Sequence, residues 1–136
     1  MSAEWDFQAA IYTTLIANAP LMAAIDAVYD ERPQAIDGGD VAQFPLVTMG
    51  RALFAEGDTK TKLGHDVLLR VHTWSRTGSM KEAKQIQGLI YEALHRNEPS
   101  MTGHTVVSLT RESSDTLKDG GNYHGVCEYR ALIEKI

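Results

Sequence analysis

The chain has 136 residues, 43% of them apolar and 23% charged, with four prolines and 11 glycines. This excludes a disordered, collagen-like or low-complexity chain and gives enough length to bury a core without staples. Thirteen Lys and Arg against 18 Asp and Glu leave a net charge of −5, and the arginines are scattered, which argues against a general nucleic-acid binder with its basic patch.

The first ten residues, MSAEWDFQAA, hold two acids and no basic stretch, so no secretory signal is expected. No apolar run approaches the roughly 20 residues of a bilayer span. The expectation is a cytosolic protein kept soluble by negative charge.

Phe7, Ala10, Ile11, Thr14, Leu15 and Asn18 recur at spacings of three and four, which predicts a first helix. Glu4 and Asp6 sit where the helix dipole favours acids. Asn18-Ala19-Pro20 ends that helix, and Pro20 can start a short further turn over LMAAIDA. Val28-Tyr29 reads as a brief strand. Residues 30 to 44, DERPQAIDGGDVAQF, read as an acidic, glycine-containing loop. A strand follows from Leu46 to Arg51, then a polar connection over residues 55 to 64.

HDVLLRVHTWSR is the clearest strand. Val67, Leu69, Val71 and Thr73 point one way, and Asp66, Leu68, Arg70, His72 and Trp74 the other. The first set makes a core face. The second is mixed, either half-covered or an interface. Ser79 to His95 reads as the main helix, opened by a Ser79/Glu82 capping box. Ala83, Ile86, Ile90, Ala93 and Leu94 form its apolar stripe, and Lys81, Lys84, Gln87 and Glu92 face water. Two further strands are expected, from about His104 to Glu112 and from Tyr123 to Lys135. Between them SSDTLKDGGN reads as a hairpin loop. The fold class is α+β: one domain over residues 1–136, with a small antiparallel or mixed four-stranded sheet and two helices on one face.

The chemical motifs are few. GxxxxGK[ST], GxGxxG, HExxH and EF-hand spacings are all absent from the sequence. The five histidines include no i, i+4 pair, so no metal site and no cofactor are expected. The single cysteine, Cys127, allows no intramolecular disulfide and no cysteine cluster. Paired with His124 or His72 it could act as a nucleophile; its mid-strand position favours a buried structural thiol. Trp74 fits either core packing or an oligomer contact.

The ordered segments QAAIYTTLIA, VYDERPQ, FPLVTMG, DTKTKLGHDVLLRVHTWSRTGSMKEAKQIQGLIYEAL and LTRESSDTLKDGGNYHGVCEYRALIE together resemble the tail-completion proteins of long-tailed phages. That family is also called tail terminators or tail-to-head joining proteins, and is met in prophages and gene transfer agents. The resemblance implies a structural protein of a phage-like particle, assembled in the bacterial cytoplasm, with no catalytic residues, no cofactor and no membrane. It implies a ring, typically a hexamer, at the head-proximal end of the tail tube. The ring would stop tube growth, dock the tail on the head connector or stopper, and let DNA pass through its lumen without specific binding. Acidic subunits around such a lumen would repel phosphate.

Loop length and exposure place the tube and connector contacts in residues 30–44, 55–64 and 113–122, with Asp37, Asp40, Glu56, Asp58, Lys60, Lys62 and Asp119 as candidates. Arg70, His72 and Trp74 are the candidates for subunit–subunit contact. The competing readings are a neck stopper or adaptor, a soluble α+β binding module, and an enzyme built on Cys127.

Overall fold

A computed structural model describes residues 2–30 and 44–136 of the chain. Helix α1, Ala3–Ile16, opens on Ser2, whose Oγ accepts from the Trp5 N–H at 3.2 Å, with Glu4 and Asp6 in its first turn. Helix α2, Ala19–Ala24, is capped by Asn18, whose Oδ1 accepts from the Leu21 N–H at 2.9 Å, and it holds Pro20 in its first turn. The elements that follow are β1 Val28–Tyr29, β2 Leu46–Glu56, β3 Gly64–Ser75, α3 Lys81–Leu94, β4 His104–Asp119 and β5 Asn122–Lys135.

The strands form one mixed sheet in the order β1-β2-β3-β5-β4. β1 runs parallel to β2, and every other pairing is antiparallel. Among the described residues the sheet therefore has five strands and there are three helices, not four and two. The difference lies at the N-terminal end. Val28 and Tyr29 pair with Val47 and Thr48 across the sheet edge, and Asn18 with Pro20 gives the six residues after it a helix of their own.

The alternation in β3 is as the sequence reads. Val67, Leu69, Val71 and Thr73 are buried against the helices. Phe7, Ala10, Ile11 and Leu15 of α1 and Ala83, Ile86, Ile90 and Leu94 of α3 close the other side of that core. Tyr129 is fully buried in it, and burial pushes its phenol far above the ordinary range.

Four local expectations are corrected. Residues 113–119 are not loop: β4 continues to Asp119 and turns through Gly120-Gly121 into Asn122, a two-residue connection in which Gly120 takes the left-handed φ of 61°. β2 likewise runs to Glu56, leaving 57–63 as the connection. The capping box is not made. α3 starts at Lys81 on Met80, and the Glu82 carboxylate accepts from the Ser75 hydroxyl at 2.7 Å. Gln87, expected to face water, is 3% exposed.

Gln87 explains how the long outer strand is protected. Its Nε2 donates to the Asp115 carbonyl at 2.9 Å, and its Oε1 accepts from the Thr116 hydroxyl at 2.8 Å. Just past α3, the Arg96 N–H donates to the Leu109 carbonyl at 2.7 Å, and the Arg111 N–H donates to His95 Nδ1 at 3.0 Å. Two bulges, at Val106/Ser108 and Arg111/Ser113, break the register of β4 further. The β4 edge is thus occupied by its own helix side over residues 109–115, and a foreign strand finds few free backbone groups there.

Candidate assembly surface

The helices cover one face of the sheet, and the other face carries the residues the sequence singles out. Its rows follow from the register. Leu46, Trp74, His124 and Leu117 lie across one end; Thr48, His72, Val126 and Asp115 form the next row; then come Arg70, Glu128 and Ser113. The lower rows are Leu53, Leu68, Arg130 and Thr110, then Ala55, Asp66, Leu132 and Ser108. Arg70, His72 and Trp74 do share this face, because they alternate along β3.

The upper part is an aromatic cluster. The rings of Trp74 and His124 stack with centroids 3.9 Å apart and planes 8° from parallel. The Trp74 indole N–H donates to Thr48 Oγ1 at 3.1 Å. His72 Nδ1 lies 2.7 Å from His124 Nε2, so one ring donates and the other accepts. Both imidazoles are held below their ordinary pKa, first by burial. His72 is lowered further by His124 and Arg70, while Asp119 works in the opposite direction on His124. Gly50 fits beneath this cluster, since a Cβ there would come 2.4 Å from His72 Nε2.

The lower part mixes charge with apolar surface. Arg70 pairs with Glu128 at 3.1 Å. Arg130 forms a two-pronged pair with Asp66 and lies 3.7 Å from Glu112. The Arg130 hydrogen bond holds the Asp66 carboxyl below the usual carboxylate range. Leu53 and Leu132 are 48% and 41% exposed beside these ions. Leu53, Leu68 and Ala55 line a shallow depression of about 410 Å³ with Asp66, Glu112, Glu128 and Arg130.

The loop candidates divide between the two ends of the sheet. Glu56 ends β2, and Lys60 and Lys62 stand exposed on the 57–63 connection. Asp58 is bound inward there, its Oδ1 accepting from the Gly64 N–H at 2.9 Å. Asp119 closes β4 at the opposite end, paired with Asn122. Asp37 and Asp40 lie outside the described residues.

Cys127 is buried on the helix side, with Sγ 3.5 Å from Gln87 Nε2 and from Ser114 Oγ. His72 and His124 are on the opposite face, so the thiol–imidazole pair considered from the sequence is not formed. Among the described residues there is no group of three or more His, Cys, Asp or Glu able to hold a metal ion, and no helix long and apolar enough to cross a membrane.

Sequence reasoning misses Leu53, Leu132, His124 and Arg130 as members of this face. Alternation was the available signal for three of them, which β5 places at even-numbered positions, whereas Leu53 reaches this face only through the bulge between Met49 and Ala52, which moves the face of β2 from even to odd positions.

The fold and this surface define a two-layer α+β protein with one face of its sheet left largely open. The comparisons place it more closely. The chain matches the family model of the tail completion protein gp17 over residues 9–134 and belongs to that family. Its role is therefore structural, in a phage-type particle. No curated protein matches it. Among solved structures, a chain from the virion of a native gene transfer agent particle is similar at 22% identity and a TM-score of 0.84, covering 98% of both chains. The gp17 protein of bacteriophage SPP1 is similar at 23% identity and a TM-score of 0.61, covering 98% of this chain and 91% of that one.

Proposed function

We propose that this protein forms a ring, of six subunits as the family resemblance implies, on the head-proximal end of a tail tube. The ring ends tube growth and joins the tail to the head connector or stopper. DNA passes through its lumen without specific binding. Membership of the tail-completion family over nearly the whole chain carries this reading. The likeness to a chain of a gene transfer agent virion favours a particle of that kind.

Three features support the reading. The two hairpin turns lie at opposite ends of the sheet, so Lys60 and Lys62 face one axial partner while Asp119 faces the other. The sheet face with Arg70, His72 and Trp74 serves as lateral contact between subunits. The net charge of −5 per copy, repeated around a ring, disfavours a grip on passing phosphates.

Negative-stain microscopy of particles from cells lacking the protein tests the reading. The expected result is filled heads beside unattached tails of abnormal length. Joined particles with tails of normal length would refute it.

A further inference from the structure

Helix α1 is apolar on two sides. Phe7, Ala10, Ile11 and Leu15 enter the core, while Trp5, Ala9, Tyr12 and Ile16 recur at spacings of four, three and four on the outside. Trp5 is 58% exposed, Tyr12 38% and Ile16 42%. A helix that is apolar all round belongs in an interior, and α1 has only half of one. Beside it β1 adds Val28 and Tyr29, and the two elements enclose a groove of about 430 Å³. Gln8 and Asp30 join across this groove, Nε2 donating to Oδ1 at 3.0 Å. Glu4, Asp26 and Asp30 are exposed around it, and none is ion-paired with a basic side chain of the described residues.

The open sheet face is the second unfinished surface. Leu53 and Leu132 stand exposed there beside Leu68, and Arg51, Arg70 and Arg130 surround them. Arg70 and Arg130 pair with their own carboxylates, whereas Arg51, exposed in the β2 bulge, is ion-paired with no described carboxylate.

We propose that the outer stripe of α1 in one copy packs on the open sheet face of the next copy, with Arg51 meeting the acidic rim at Asp30. This rests on the ring reading and names the contact that builds the ring. A helix laid on a bare sheet face is the ordinary way to cover apolar surface. An acidic groove and an exposed guanidinium are complementary in charge, and the groove's Trp and Tyr rings accept cations on their faces. The second copy is favoured over an unrelated partner by placement. The two surfaces lie on opposite layers of one molecule, so the contact is head-to-tail. It covers both surfaces in every subunit only when the succession of copies closes on itself.

The test uses the full chain in its particles. Tyr12→Asp and Leu53→Asp alter exposed positions, and their melting temperatures check that the fold is kept. Each is expected to lower incorporation into particles at least about tenfold. Arg51→Glu and Asp30→Arg should each lower it, and the two together should restore it. A chain carrying both Tyr12→Cys and Leu53→Cys should give a covalent ladder on mild oxidation of particles, while neither single variant does. Normal incorporation of Tyr12→Asp or Leu53→Asp, or no ladder from particles that contain the double-cysteine chain, overturns the contact and leaves the ring standing. A wild-type protein found as one copy per particle overturns the ring and the contact together.

Discussion

Replacing Gln87 by Met keeps the length of the side chain and removes its amide. The hydrogen bonds to the Asp115 carbonyl and from the Thr116 hydroxyl are lost, together with the weak contact from Nε2 to Cys127 Sγ. Thr116 is partly exposed and can turn to water, whereas the part-buried Asp115 carbonyl loses its donor at the sheet edge. The expected loss is about 2 kcal/mol. At roughly 4 °C per kcal/mol for a domain of this size, the melting temperature should fall by about 8 °C, read by circular dichroism. Hydrogen exchange should quicken in β4 around residues 109–117, because the bond ties that strand to α3. The same contact can be attacked from the sheet. A Cβ at Gly125 would meet Gln87 Nε2 at 2.5 Å, so Gly125→Ala should destabilise the wild type and do so much less in a Gln87→Ala background. A melting temperature for Gln87→Met within about 2 °C of wild type, with β4 exchange unchanged, would show that the amide does not hold the edge.

The remaining predictions use the same chain in solution. Gly50→Ala should cost about 1–3 kcal/mol in urea unfolding, because the new methyl meets a His72 ring hemmed in by His124. Gly88, mid-helix and exposed, would have nothing within 4 Å of an added Cβ, so Gly88→Ala should stabilise the fold by about 0.5–1 kcal/mol and raise the melting temperature. Tyr129→Phe should leave the urea midpoint unchanged or higher, since the buried hydroxyl has no hydrogen-bond partner among the described residues. His72 and His124 have lowered pKa values in the fold, so below about pH 6.5 the unfolded chain binds more protons and stability falls with pH. Melting curves across that range should show a shallower fall for His124→Gln than for wild type.

What could be read from the sequence is what period and punctuation encode. The alternation of β3 identified both of its faces, and the Asn18–Pro20 signal located the break between α1 and α2. Pairing is not encoded in that way. Residues 113–119 are polar and look like loop, but β5 offers them a full antiparallel partner from Glu128 to Asn122. Val28-Tyr29 reads as a brief strand, but its parallel pairing with Val47 and Thr48 is not written in its own two residues. Gln87 stands three and four residues from Ile90 and Ala83, at the margin of the apolar stripe of α3, and the arrival of Asp115 and Thr116 turns its amide into a buried tie. The candidate surface was half visible for a related reason. Arg70, His72 and Trp74 come from one strand's alternation, while His124, Arg130 and Leu132 join them through the register with β5.

The capped edge also limits how copies of this chain can meet. Sheets often assemble by adding a strand to a free edge. Here β4 has its outer groups at Leu109, Arg111 and Asp115 taken by Arg96, His95 and Gln87, and among the described residues β1 offers two residues. Strand addition would have to break three of these bonds before making its own. Contact through faces requires no such exchange, and both layers still carry exposed leucine, tryptophan or tyrosine. An assembly of this protein is therefore expected to stack layer on layer, its strands continuous within each subunit and interrupted between subunits.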